Sequence, residues 1–187
     1  FVVAFPALPD LAIPKSDEPI FTFRVAVTVT DSTGETRSSE TSVRAGYTAL
    51  AANLSASEWQ EAGKPADVKV STENLAGEPA RAQGTLTVYS LKAPSKVQRP
   101  ALTPGRYIYR WFSINSESTN DMSNPDNWPL GRALVERKVD TTTNGEVLVE
   151  FRLPQGCYRA LFETKDAFGA PVKAWLPVRV VNPDATQ

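Results

Sequence analysis

Few of the residue types that enzymes use for nucleophilic and acid–base catalysis are available in this sequence. Histidine is absent, which removes the commonest general base and the commonest metal ligand. A serine nucleophile would therefore need a lysine as its base, and the adjacent Ser95 and Lys96 lie in a loop with no supporting pattern. Acidic residues alternate with basic ones on strand-like faces, as Glu146, Glu150 and Arg152 do, which is typical of a solvated sheet face rather than of a glycosidase pair. The sequence thus predicts no catalytic residue, and we expect the chain not to be an enzyme.

The single cysteine, Cys157, follows Gly156 and so invites comparison with proteins that contain an internal thioester. That chemistry joins the cysteine to a glutamine three residues later, with a glutamate directly before the glutamine. Arg159 and Ala160 occupy those two positions here, so a thioester at Cys157 is excluded. One cysteine also excludes an internal disulfide and a zinc site built from cysteines. We expect Cys157 to be a small buried residue in a strand.

Two stretches could in principle bind a ligand. Oxygen-bearing side chains gather over 117–127, but this stretch lacks the alternating acidic residues and central glycine of an EF-hand calcium loop. We therefore predict a polar surface loop there, with no metal and no cofactor. Aromatic residues nearby could line a sugar or peptide site, although such groups more often pack on a core or on a neighbouring domain. The candidate packing or interaction surface consists of Tyr107, Tyr109, Trp111 and Trp128.

Composition limits the remaining function classes. The 187 residues are 41% hydrophobic, which is enough for a packed core, and the net charge of -1 provides no field that would attract nucleic acid. No apolar run approaches the roughly 18 residues of a membrane-spanning helix. The apolar residues 1–14 lack the basic start and cleavage site of a signal peptide. We expect no nucleic-acid binding, no membrane insertion, and a sequence that begins mid-protein at a strand.

The clearest pattern in the chain is an alternation of apolar and polar residues with a period of two. Between Phe21 and Thr30 every odd position is apolar, and the even positions are mainly polar. The same pattern returns at 147–153 and 172–180, and more briefly at 68–70. Successive side chains of a strand point to opposite faces, so each stretch predicts a strand with one buried face. The sequence therefore predicts an all-β fold.

A shared turn chemistry separates these strands. Three turns have an aspartate or asparagine followed three residues later by glycine, and they begin at Asp31, Asn74 and Asp166. They predict hairpins at about 21–47, 66–91 and 157–181. A fourth turn at Asn144-Gly145 predicts that residues 132–141 pair with 146–153. Residues 55–62 predict at most a short helical turn, because Ser55 and Glu58 have capping-box spacing.

The pattern breaks near Ala45-Gly46-Tyr47, which predicts two units. Residues 1–45 would be the last strands of a preceding domain, and 46–183 a complete sandwich. A long excursion at 92–131, rich in proline, serine and asparagine, would interrupt the second unit. The predicted fold is an immunoglobulin-like antiparallel β-sandwich with a partial preceding domain.

Several ordered stretches resemble the bacterial alpha-2-macroglobulin family, especially its large Bacteroidetes-type members. The likeness spans about residues 20–181, and residues 100–123 depart most from the family pattern. No single motif is diagnostic, and the ordered set carries the resemblance. The stretches are FRVAVTVTDSTGETRS (23–38), TSVRAGYTAL (41–50), STENLAGEP (71–79), GTLTVY (84–89), NPDNW (124–128) and KDAFG (165–169).

The resemblance implies a non-catalytic, macroglobulin-type structural module in a long periplasmic or extracellular chain that acts as an endopeptidase inhibitor. In that family a protease cuts a bait segment, the molecule rearranges and a thioester can capture the attacker. The implied partners are neighbouring domains of the parent chain, with proteases as targets of the whole parent. Anchoring to the cell envelope would depend on other parts of the parent. The alternative is an immunoglobulin-like stalk or ligand-binding module of a surface adhesin or glycan-processing assembly, because a fold does not fix a function.

Overall fold

A computed structural model of the chain describes residues 4–14, 19–99 and 121–184. Within these ranges the regular structure is β-strand, with a 3-10 turn at Pro125–Asn127, and no helix is long and apolar enough to cross a membrane. The strands are β1 (Ile20–Thr30), β2 (Thr36–Gly46), β3 (Leu50–Ser55), β4 (Gln60–Glu61), β5 (Ala66–Asn74), β6 (Gln83–Leu91), β7 (Leu130–Asp140), β8 (Glu146–Phe151), β9 (Gly156–Lys165) and β10 (Pro171–Val181).

These strands form three sheets. β1 and β2 pair with each other in a two-stranded ribbon, β3-β5-β8 form a three-stranded sheet, and β4-β10-β9-β6-β7 form a five-stranded sheet. Neighbours are antiparallel except for the two-residue pairing of β4 with β10, which is parallel. The three- and five-stranded sheets pack on a shared main hydrophobic core, so residues 50–99 and 121–181 form an immunoglobulin-like antiparallel β-sandwich. The predicted fold class is confirmed.

The core follows from the period-two pattern. In β5 the side chains of Val68 and Val70 are fully buried, while their polar neighbours face outward. β9 belongs to the opposite sheet, and its buried side chains on the core face are Tyr158, Ala160 and Phe162. Leu50, Ala82 and Val172 form a smaller cluster of their own, while every strand of the two sheets except β4 contributes a buried apolar residue to the main core. Its buried members are Leu54, Ala66, Val68, Val70, Leu86, Val88, Val139, Phe151, Leu153, Tyr158, Ala160, Phe162, Ala174, Val178 and Val180.

Two of the four predicted hairpins are confirmed. β1 pairs with β2 across the turn at Asp31, and β9 pairs with β10 across the turn at Asp166. The hairpin predicted for 66–91 is wrong, because β5 pairs with β3 and β8 while β6 belongs to the other sheet. The pairing predicted across Asn144-Gly145 is also wrong, because β7 pairs with β6 and β8 pairs with β5.

Buried threonines hydrogen-bond the chain at both of these crossovers between the sheets. The Thr72 hydroxyl donates to the Ala80 carbonyl at 2.6 Å and lies 2.9 Å from the Thr141 hydroxyl. The backbone N–H of Ala82 donates to the same Thr141 oxygen at 2.8 Å, and the N–H of Thr72 donates to the Gly145 carbonyl at 2.7 Å. Both crossovers thus have their polar groups satisfied inside the sandwich, which removes the penalty for burying them.

The short helical turn predicted at 55–62 is wrong. The stretch contains the last residue of β3, a bend and β4, whose residues pair with Val180 and Val181. The N–H of Ala62 donates to the Val181 carbonyl at 2.8 Å, and the buried Gln60 side chain donates to the Asp67 carbonyl at 2.9 Å. Tertiary pairing therefore overrides the local capping pattern.

In the described ranges, β1 and β2 have no strand partner other than each other, and residues 47–49 connect them to the sandwich. The assignment of residues 1–45 to a preceding domain stays a prediction. β7 begins at Leu130, next to the predicted end of the excursion at 131, and residues 100–120 lie outside the described ranges.

Candidate interaction surfaces

Trp128 is the member of the predicted aromatic surface that the structure places. Its indole N–H donates to the Met122 carbonyl at 2.8 Å, and the ring is half-buried at the base of the loop 121–129. The other three predicted residues, Tyr107, Tyr109 and Trp111, lie outside the described residues. Trp128 is thus bonded within its own loop, and the candidate packing or interaction surface stays a prediction.

Within the same loop, the oxygen-bearing side chains are used by the loop itself. The Asp121 carboxylate accepts from the N–H of Ser123 at 2.9 Å, and the Asn124 side chain accepts from the N–H of Asp126 at 3.0 Å. These bonds hold a 3-10 turn with Asn124 as its N-cap. In the part of the chain that the structure describes, no group of three acidic, histidine or cysteine side chains could hold a metal ion.

The serine–lysine pair and the strand carboxylates that the sequence analysis considered for catalysis lie on the protein surface. Ser95 and Lys96 are exposed in the loop that follows β6. Glu146 and Glu150 point outward from β8, and the Glu146 carboxylate forms a 2.7 Å ion pair with Lys69 of β5. This arrangement is the solvated sheet face that the sequence indicated.

The loop is attached to the outer face of the five-stranded sheet by two arginines, which sequence reasoning missed. Arg179 donates to both carboxylate oxygens of Asp126 at 3.2 Å, and Arg159 donates to the Asp126 backbone carbonyl. The Arg179 guanidinium also lies 5.8 Å from the centre of the Trp59 ring, within cation–π range. Trp59 remains 55% exposed. The contributors are far apart in sequence, so no local pattern could have brought them together.

Cys157 of β9 lies beside this group, directly opposite Arg179 of β10. The thiol is partly buried, and burial raises its pKa above the ordinary value. The Arg179 charge opposes this shift, whereas the Asp126 charge adds to it. A raised pKa leaves little thiolate at neutral pH, so Cys157 is poorly suited to act as a nucleophile.

Alkylation of Cys157 with iodoacetamide should reflect this environment. We expect its rate at pH 8 to be below that of a free cysteine in a short peptide, because only the thiolate reacts. Replacing Arg179 by alanine removes the charge that lowers the pKa, so the rate profile should move to higher pH; Asp126→Asn should move it to lower pH. The rate is measured from pH 7 to 11, because the plateau at high pH separates accessibility from pKa. A shift of the Arg179→Ala profile to lower pH would contradict this account.

A second surface lies where the β1–β2 ribbon meets the sandwich. Arg44 of β2 donates from Nε to the Leu75 carbonyl at 2.9 Å and from Nη1 to the Glu73 carboxylate at 2.9 Å. Both partners belong to the end of β5 and the turn 74–78 that follows it. Hydrogen bonds from a charged guanidinium to a carboxylate are among the stronger ones in proteins. The ribbon is thus tied to the sandwich by a side chain that sequence reasoning did not select.

The segment that connects the ribbon to the sandwich is also bonded at the end next to β3. The Asp166 carboxylate accepts from the N–H of Ala49 at 2.8 Å, and it also closes its own turn by accepting from Phe168 and Ala170. These backbone donors, Ala49 foremost, lower the pKa of the Asp166 carboxyl below its ordinary value. We call the connection 47–49, together with the turns 74–78 and 166–170, the junction.

A groove of about 350 Å³ opens beside the junction, over the outer face of β3 and β5. Its walls are small or polar and include Asn53, Ser71, Glu73 and Glu146. The two carboxylates are already paired, Glu73 with Arg44 and Glu146 with Lys69. Charge in the groove is therefore largely neutralised within the chain.

In comparisons with known proteins, no protein-family model and no curated protein matches the sequence. Among solved structures, the chain is similar to the crystal structure of trypsin-activated alpha-2-macroglobulin from Escherichia coli, with 16% sequence identity and a TM-score of 0.44. The match covers 88% of this chain and 11% of that protein, so the chain spans about a tenth of its length.

Proposed function

We propose that this chain is a non-catalytic structural module of an alpha-2-macroglobulin-like endopeptidase inhibitor. The proposal rests on the ordered sequence resemblance over about 20–181 and on the sandwich formed by residues 50–99 and 121–181. In this role the module would act in a periplasmic or extracellular parent chain. Its partners would be neighbouring domains, and proteases would be targets of the whole parent.

The observation that carries the proposal is the junction. A structural module in a string of domains has to transmit force and orientation through its ends, and here a side chain of the ribbon is bonded to a turn of the sandwich. Arg44 is partly buried in this contact, although arginine side chains are usually exposed to solvent. The hydrogen bonds of Arg44 thus connect the β1–β2 ribbon to the sandwich.

Protease capture by the complete parent protein tests the proposal. The parent is incubated with trypsin, and the mixture is separated by size-exclusion chromatography. We expect trypsin to co-elute with the parent and to lose activity on a large protein substrate. The isolated 187-residue chain should do neither at equimolar concentration. Stoichiometric inhibition by the isolated chain, or a parent that captures no protease, would show that the proposal is wrong.

A second candidate is a ligand-binding module of a surface adhesin or glycan-processing assembly, and exposed tryptophans favour it. Trp59 and Trp175, which is 48% exposed, both lie on the outer face of the five-stranded sheet. Flat aromatic rings on a sheet face are suited to stacking against sugars. Binding on a glycan array that is lost in both Trp59→Ala and Trp175→Ala would support this candidate, and a flat array profile would remove it.

A further inference from the structure

The three aspartate- or asparagine-based turns have the same local structure but different surroundings. In each, the first residue accepts hydrogen bonds from backbone N–H groups two and four residues later, and the glycine has a φ of 85° or 86°. The turn at Asp31 lies at the far end of the ribbon. The other two each make one further bond to the chain between Arg44 and Ala49. Two of the three equivalent turns therefore bond the segment that joins the ribbon to the sandwich.

Gly77 shows that the turn 74–78 is shaped to receive the arginine. A Cβ at this position would lie 2.7 Å from the Arg44 Nη2 atom, so the guanidinium would have to shift from the position in which it bonds Glu73 and Leu75. At Gly34 and Gly63, which have almost the same φ, a Cβ would meet nothing within 4 Å. The φ value requires glycine at all three positions, but only at Gly77 does the missing side chain also leave room for a group from the ribbon.

The two attachment points are Arg44, near the end of β2, and Ala49, directly before β3. One contact would leave the ribbon free to turn about it, whereas two contacts at separate points restrict both swing and rotation. Arg44 provides the first contact from the ribbon side, and the N–H of Ala49 provides the second from the sandwich side. Between them Thr48 is buried, and its hydroxyl donates to the Leu50 carbonyl at 3.0 Å.

We propose that the turns 74–78 and 166–170 form a two-point clamp that sets the angle between the β1–β2 ribbon and the sandwich. Arg44 on Glu73 and Leu75 is the releasable point, because it is a side-chain contact at the surface. Asp166 on Ala49 is the fixed point, because its carboxylate is also part of the turn. The clamp does not depend on what the parent protein does, so it stands or falls separately from the proposed function.

Distances between spin labels on the ribbon and on the sandwich test the clamp in the full 187-residue chain. Labels are attached at Ser38→Cys and Ser57→Cys in a Cys157→Ser background, since both serines are exposed and far from the junction. We expect one narrow distance distribution. Arg44→Ala should raise the population outside the main peak roughly tenfold, because hydrogen bonds from a charged group are lost. Arg37→Ala is the matched control, because the side chain of this ribbon arginine is bonded to Glu35 and to no other of the described residues.

Glycine variants separate the clamp from ordinary turn strain. Gly77→Ala should broaden the distribution as Arg44→Ala does, whereas Gly63→Ala has the same φ penalty and should leave it narrow. The double variant Arg44→Ala/Gly77→Ala should be no broader than Arg44→Ala alone. A narrow distribution in Arg44→Ala, equal behaviour of the two glycine variants, or simple addition in the double variant would each overturn the proposal.

Asp166→Asn tests the second point and covers the case in which Gly77→Ala fails to fold. Asparagine keeps the turn, as Asn74 shows, but its amide can leave the N–H of Ala49 without an acceptor. We expect broadening that increases further when Arg44→Ala is added. Circular dichroism confirms that each variant is folded. An Asp166→Asn distribution identical to that of the unchanged chain would reduce the clamp to one point and overturn it.

Discussion

Replacing Phe162 by alanine is expected to lower the free energy of unfolding of the sandwich by about 3–5 kcal/mol. Phe162 is fully buried and is the largest such side chain in the described residues. Its ring lies against β6, where a Cβ at Gly84 would be only 2.6 Å from it, so glycine leaves the space that the ring fills. Truncation would leave a cavity between strands that cannot close around it. Urea unfolding followed by circular dichroism measures the loss.

The same hairpin provides a matched control for this prediction. Phe168 is 86% exposed at the turn between β9 and β10, so Phe168→Ala should change stability by less than about 0.5 kcal/mol. Phe162→Leu keeps most of the volume and should cost about 1 kcal/mol. If Phe162→Ala were as mild as Phe168→Ala, the assignment of Phe162 to the centre of the core would be wrong.

The second large effect is expected at Thr141, where valine should cost about 2–3 kcal/mol. The two side chains have nearly the same shape, so the change mainly removes the hydroxyl. The N–H of Ala82 would lose its acceptor, and the Thr72 hydroxyl would lose a neighbour at 2.9 Å. Thr141 is fully buried, so water cannot replace these bonds without a rearrangement. Thermal and urea unfolding give the change.

Two variants show whether the hydroxyl is responsible. Thr141→Ser keeps the oxygen and loses a methyl group, so it should cost only about 1 kcal/mol. Thr143→Val alters an exposed threonine two residues away and should be nearly neutral. A Thr141→Val protein as stable as Thr143→Val would mean that the two crossovers do not depend on the buried threonines.

The sequence predicted strands well, and their partners only where the partner is the next strand in the chain. Period-two patterns located β1, β8 and β10, because burial of one sheet face imposes that pattern. The hairpins at Asp31 and Asp166 followed from local turn chemistry. The turn at Asn74 has the same chemistry, yet the chain leaves the sheet there. Local residues fix the shape of a turn, but the choice of sheet depends on distant groups such as Thr141.

For the candidate surfaces, less could be predicted. Trp128 was selected because it is a large aromatic residue in a polar stretch. Its indole N–H donates to the Met122 carbonyl of the same loop, and its part in an interaction surface stays a prediction. Arg44 and Gly77 were not selected, since in sequence Gly77 is indistinguishable from Gly34. Their importance comes from a contact over 31 residues, between Arg44 and Leu75, which no periodicity encodes. The Asp126–Arg179 contact spans 53 residues and was missed for the same reason.

The two sheet crossovers also have a consequence for how the protein folds. β5 and β6 follow each other in the chain but lie in opposite sheets, and the same is true of β7 and β8. Neither sheet can therefore be completed by local zipping, and most strand pairs join residues that are distant in sequence. Chains of this kind search for their native contacts slowly, on a scale of milliseconds to seconds. The β1–β2 ribbon needs only its own turn and can form in about 1–10 μs. Refolding should thus begin with the two local hairpins, β1–β2 and β9–β10, and end with the closure of both sheets around the buried threonines.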